Sequence, residues 1–175
     1  MNLPSLDSER FDLRPLTARD TALYVALYTD AAVMRHVAEP MDAKSASQAF
    51  SKVESLNRRG SDDYRTWVIV EKATGQDIGL LALVAREGIH EIGALIWPEW
   101  HNGGVATEII RRLMDFAFAE GGSQAVFTRH RAENGGAEGL MRKLDFQRIP
   151  SEGHRDGGVR WERTRARWQR ASGNE

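Results

Sequence analysis

The stretch Glu91–Asp115, EIGALIWPEWHNGGVATEIIRRLMD, limits what this chain can fold into more than any other. Glu91–Trp97 is apolar and branched, which reads as a strand, and Pro98 ends it because proline cannot donate to a sheet ladder. His101-Asn102-Gly103-Gly104 can take unusual backbone angles. From Val105 the period changes: Val105, Ile109, Leu113 and Phe116 fall on one face of a helix. Glycines just before a helix leave its first N–H groups uncovered. Those donors and the positive end of the helix dipole suit an anion such as phosphate. Two familiar phosphate loops are excluded. Val105 and Ala106 follow Gly104 where a Walker loop needs Lys and then Ser or Thr, and a dinucleotide fingerprint would need a third glycine. A ligand-free Asn-Gly hairpin is disfavoured, since a helix follows rather than a second strand.

The rest of the chain reads as one sheet and its covering helices. Arg10–Leu16 alternates and forms a first strand closed by Pro15. Thr17 is an N-cap with Asp20 in the first turn, and Leu23, Ala26 and Leu27 line that helix. Asp30–Ala38 is a short second helical piece. Lys44–Arg59 carries Ala46, Ala49, Phe50, Val53 and Leu56 as one stripe. Tyr64–Lys72 and Asp77–Arg86 form a hairpin through Ala73-Thr74-Gly75-Gln76, and their apolar runs imply cover on both faces. Gln124–Thr128 is a strand and Asn134–Leu144 a helix. Phe146–Ile149 and Val159–Trp168 are final strands around a polar loop, Pro150–Gly158, with a frayed end at Gly173–Glu175. The order is βααβββαβαββ, an α+β chain with one mixed sheet.

A chain of 175 residues is expected to be a single domain, its core running from about residue 10 to residue 168. Net charge is −1, so there is no overall pull toward nucleic acid or anionic lipid. The absence of cysteine excludes disulfides, thiolate metal sites and a Cys nucleophile. The segment MNLPSLDSERFDL lacks a basic-then-apolar signal, and no apolar run reaches membrane-spanning length; a cytoplasmic protein without a membrane partner is expected. Arg155, Arg160, Arg163, Arg165, Arg167 and Arg170 cluster near the end with Trp161 and Trp168. An edge strand guarded by arginines is preferred there over a nucleic-acid surface with stacking tryptophans.

His101–Ala106, followed by Thr107-Glu108, has the pattern x-x-x-Gly-x-Ala. It resembles the Gln/Arg-x-x-Gly-x-Gly/Ala pyrophosphate loop of the GNAT acetyltransferase superfamily. The longer string PEWHNGGVATE is similar to the P-E-aromatic-aromatic-G-K-G-Y-A-T-E of its ribosomal-protein N-terminal (RimJ/RimL) branch. His101 replaces a polar or aromatic residue, Asn102 a glycine and Gly103 the lysine. Ala132–Phe146 is similar to the family's N-x-x-[AS]-x-x-[VLM]-[LMY]-x-K-[LA]-G-F, with Asn134, Ala137, Leu140, Met141, Lys143 and Phe146 in register and Asp145 in place of glycine.

The resemblance implies a GNAT fold: a twisted, mostly antiparallel sheet of six to seven strands with helices on both faces. It implies acetyl-CoA as co-substrate, no metal, a primary amine on a peptide or small molecule as acceptor, and a homodimer. Leu95, Ile96 and Trp97 map to the place where backbone N–H groups meet the thioester and pantetheine. His101, Asn102, Gly103, Gly104, Val105, Ala106 and Thr107 map to the diphosphate loop. Asn134 meets a pantetheine amide or serves only as a helix cap, and Lys143 contacts phosphate or is a solvated helix-end cation. Glu91 lies where the family often places a carboxylate that reaches the amine through water; His101 and His36 are weaker candidates. Neutralising an α-amino group at pH 7 costs only about 1 kcal/mol, against about 4.6 kcal/mol for a lysine-like amine, so the need for a base depends on the acceptor. Ala137 and Met141 stand where many relatives carry Tyr or Ser as a general acid. Either bulk water then reprotonates the thiolate or the acid lies elsewhere, and CoA binding without turnover is a further reading.

Overall fold

The computed structural model describes residues 3–86, 88–150 and 158–172. The expected frayed end at Gly173–Glu175, and all of the expected Pro150–Gly158 loop except its two end residues, lie outside these. The chain runs through β1 (Leu6–Asp7), β2 (Phe11–Pro15), α1 (Thr21–Thr29), α2 (Ala31–Met34), α3 (Ala43–Arg58), β3 (Tyr64–Glu71), β4 (Asp77–Arg86), β5 (Ile89–Ile96), α4 (Val105–Ala119), β6 (Ala125–Arg131), α5 (Gly135–Lys143), β7 (Gln147–Ile149), β8 (Gly158–Thr164) and α6 (Arg165–Ser172). The strands form one sheet in the order β1-β2-β3-β4-β5-β6-β8-β7. Neighbours pair antiparallel except β5 and β6, which run parallel.

Each face of the sheet carries its own core. Trp67, Ile69, Leu81, Leu83, Ile92 and Ile96 pack with Ile109, Leu113 and Phe116 of α4 and Met141 of α5. Val68, Leu80 and Leu95 point the other way, toward Tyr24 and Leu27 of α1, Met34 of α2 and Phe50 and Val53 of α3. This is the period-2 division of a strand buried on both sides, and it explains the unbroken apolar runs of β3 and β4. Each fully buried Leu, Ile or Phe contributes about 1.5–3 kcal/mol to burial.

Four expectations change. β1 is an additional short strand, paired Leu6 to Leu13, and brings the sheet to eight. In α3 the buried stripe ends on Asn57 rather than Leu56. The Asn57 amide donates to Thr66 O at 2.6 Å and Leu16 O at 3.2 Å and accepts from Thr66 N at 2.9 Å, so its burial is satisfied. The expected strand Val159–Trp168 stops at Thr164, whose hydroxyl accepts from Arg167 N at 3.3 Å and starts α6. Trp168 then turns back to sit 6.1 Å from the Phe118 ring. Finally, β8 is no edge strand: β7 covers it, and Trp161 is buried in the core, which removes Trp161 as a platform for a base.

Candidate functional site

The parallel junction is very short. β5 and β6 are in register only at His90–Val126 and Glu91–Phe127. Beyond Glu91 the two strands part and leave a wedge-shaped gap. Trp97 N donates to Ile78 O of β4 at 3.1 Å, so by the alternation of an antiparallel ladder Leu95 also faces β4. Ala94 and Ile96 turn the other way and aim their N–H groups into the gap. This corrects the expectation for Leu95 and Trp97, whose backbone donors are used within the sheet. Of the three residues, Ile96 alone presents an N–H to the gap, and Ala94 joins it.

The loop at the mouth of the gap begins with a helical turn, Pro98–Trp100. His101 leans back on the strand, its Nε2 3.0 Å from Ile96 O, a bond that needs the Nε2–H tautomer. This bond braces the ring against the strand. Asn102 (φ 62°) and Gly104 (φ 77°) both adopt the left-handed region. That twist turns successive N–H groups to one side. Helix geometry leaves the N–H groups of Val105, Ala106 and Thr107 without intrahelical partners, and no side chain caps them. Among the described residues, nothing accepts from the N–H groups of Asn102, Gly103 or Gly104 either. The donors that the sequence places here are open, and they suit a diphosphate.

Glu108, in the first turn of α4, accepts from Arg10 N at 2.7 Å, Ser8 Oγ at 2.7 Å and Arg10 Nε at 2.8 Å. Burial pulls its carboxyl upward, but these bonds outweigh burial and hold it below the ordinary range. From Gly104 a groove of about 400 Å³ runs along α4, lined by Arg10, Thr107, Arg111, Asp115 and Lys143 among others. Lys143 thus borders the loop's own groove. Asn134 caps α5, its Oδ1 accepting from Ala137 N at 3.0 Å. Its amide nitrogen has no acceptor among the described residues, so capping does not consume the group.

Glu91 sits where β5 and β6 separate, on the sheet face that carries α1, α2 and α3. Arg86 Nε lies 3.6 Å from its carboxylate. On the same face the register continues through Phe127 to Glu162, which pairs with Arg160 at 3.3 Å. A Cβ on Gly93, two residues past Glu91, would meet nothing within 4 Å. The missing side chain leaves space directly over the gap. Two strands away in the same row, burial pushes the Tyr64 phenol up to about 12, with Tyr28 and then Glu91 adding to the rise. His36 follows α2 and is half-buried, and nothing described ties it to this row.

Sequence reasoning passes over Gly93, Glu162, Tyr64 and Arg10. An isolated glycine inside an apolar strand was the available signal for Gly93; the others depend on pairing between distant strands. Among the described residues, no three His, Cys, Asp or Glu side chains converge as a metal would need, and no helix is long and apolar enough to cross a membrane.

A family model described as an acetyltransferase (GNAT) domain matches residues 10–147. The chain is 29% identical over 158 residues to the uncharacterized N-acetyltransferase YoaA of Bacillus subtilis, covering 83% of this chain and 84% of that one. It is 29% identical over 147 residues to spermidine N(1)-acetyltransferase of Escherichia coli, covering 82% and 75%. Among solved structures, an acetyltransferase from Agrobacterium tumefaciens superposes with a TM-score of 0.79 at 20% identity, over 93% of this chain and 95% of that one. RimL, the ribosomal L7/L12 α-N-protein acetyltransferase in complex with coenzyme A, gives 0.77 at 15% identity, over 92% and 98%. These structures carry the likeness of fold alone. Because the family model spans well over half the chain, this protein belongs to the GNAT acetyltransferase family, whose members use acetyl-CoA.

Proposed function

We propose that the protein transfers an acetyl group from acetyl-CoA directly to a primary amine, on a protein N-terminus or a small molecule, bound over Glu91. The observation that carries this reading is the gap between β5 and β6, which joins the open loop donors to two inward-facing N–H groups. The Asn102–Thr107 donors and Lys143 hold phosphate, and the Asn134 amide meets the pantetheine arm. Ala94 and Ile96 donate to the carbonyl oxygen, which gains negative charge as the amine nitrogen bonds to the carbonyl carbon. Glu91 receives the proton that the amine sheds, directly or through water. The carbon–sulfur bond breaks, and the thiolate takes a proton from bulk water, which an ordinary thiol pKa of about 8.5 permits. With no cysteine to carry the acetyl group, both substrates are present together.

The acceptor class rests on the relatives rather than on net charge. Glu91 and Glu162 flank Phe127 on one face, but each pairs with an arginine, Arg86 and Arg160, and Arg160 lies over the Phe127 ring at 4.0 Å. A spermidine acetyltransferase relative and a RimL neighbour, named for ribosomal-protein acetylation, support the two acceptor kinds. The test is thiol release from acetyl-CoA with a panel of peptides and polyamines, for wild type and Glu91→Gln. The substitution is expected to lower kcat about a hundredfold and leave KM for acetyl-CoA unchanged. An unchanged rate and pH profile would remove Glu91 from this role. α5 carries no hydroxyl side chain, which favours a second reading, CoA binding without turnover. A CoA-induced thermal shift without thiol release from any amine would select it.

A further inference from the structure

We infer that Arg10 supplies the diphosphate end of the cofactor site with the positive charge that its loop lacks. The inference rests on the proposed binding of acetyl-CoA by the Asn102–Thr107 donors. Gly103 stands where the similar motif has lysine, so the loop itself offers only backbone dipoles. Arg10, between β1 and β2, is 93 residues from Gly103 in sequence, yet its guanidinium lies across the loop. Nη1 donates to Gly103 O at 3.0 Å and Nε to Glu108 Oε2 at 2.8 Å. A Cβ on Gly104 would lie 3.4 Å from Nη2, so this nitrogen overlies the residue whose twist opens the donors. Nη2 has no acceptor among the described residues, and the side chain is 48% exposed, so it can meet a solvent-borne anion.

Arg10 also cancels a charge that opposes phosphate. Glu108 is buried enough to feel its surroundings and lies one turn from Gly104, where an uncompensated carboxylate would repel a diphosphate. Arg10 engages it through both backbone and side chain. The pair therefore acts as one electrostatic unit: removing the guanidinium takes away a cation and exposes an anion. Arg111 and Lys143 line the same groove, but among the described residues it is Arg10 whose guanidinium bonds both the loop and Glu108.

Calorimetric titration of CoA and 3′-dephospho-CoA tests this, each into wild type, Arg10→Ala, Arg10→Ala with Glu108→Gln, and Arg10→Ala with Gly103→Lys. Gly103 can accept the lysine, since its φ is not positive and a Cβ would meet only Trp100 O, at 3.9 Å. Arg10→Ala is expected to weaken both nucleotides about tenfold, and each second substitution to regain most of the loss. Should Arg10→Ala fail to fold, Arg10→Gln keeps the reach and removes the charge. Unchanged affinity would overturn the inference. So would a loss that neither second substitution restores, which marks a purely structural clamp. A loss confined to CoA would move the contact to the 3′-phosphate and overturn the assignment. If wild type takes up neither nucleotide, the cofactor reading itself falls, and this one with it.

Discussion

Gly104 and Asp145 both hold a positive φ, and they manage it differently. Gly104, at 77°, has no Cβ to clash and none to crowd Arg10. Gly104→Ala is expected to lose about 1–2 kcal/mol from the left-handed penalty. The thermal shift produced by CoA should shrink further than that loss explains, because the donors would turn away; melting curves with and without CoA check both. Asp145 stands at 57° where glycine is usual. Aspartate tolerates this region, and its carboxylate is gripped by Arg167 Nε at 2.8 Å and by Arg163 at 3.4 Å. The sequence departure is therefore offset by two arginines from the chain's end. The open backbone geometry of residues 101–107 was legible because it is local: glycine, a helix start, and no side chain in between. The positions of Arg10 and Glu162 were not legible, since strands that meet only in the fold bring them there.

At the scale of elements, the strand-turn-helix of β5 and α4 was legible because its two periods differ and proline and glycine mark the change. The β8–α6 boundary was not. No Gly or Pro interrupts Val159–Trp168, and only the Thr164 cap and the Trp168–Phe118 contact end the strand. α5 was found by its apolar stripe, yet it is a weak helix, with Gly135, Gly136 and Gly139 among its nine residues. A Cβ at Gly139 would meet nothing within 4 Å. Gly139→Ala should therefore stabilise the protein by about 0.5–1 kcal/mol, read as a higher urea midpoint at unchanged m.

Across the whole molecule, Arg14 ties three separate segments. Its guanidinium meets both Asp20 oxygens, at 2.9 and 2.8 Å, and Asp77 at 2.8 Å, so β2, the turn before α1 and the start of β4 share one charge. Asp20 is 3% exposed. Burial alone would raise its carboxyl, but Arg14 and the bonds from Thr17 bring it below its ordinary 3.8. A carboxyl lowered by folding stabilises fully above that value and loses its contribution as pH falls through the folded pKa. Asp20→Asn is expected to cost about 2–3 kcal/mol at pH 7. Denaturant titrations from pH 7 to pH 2 should show the gap between wild type and variant narrowing below about pH 4. The two rungs that join β5 to β6 have a wider consequence. They are the only hydrogen-bonded seam between a five-stranded half and a three-stranded half of the described sheet. An extended molecule lodged in that fork would serve as the strand missing between them, so the protein's cohesion and its grip on such a guest become one thermodynamic quantity.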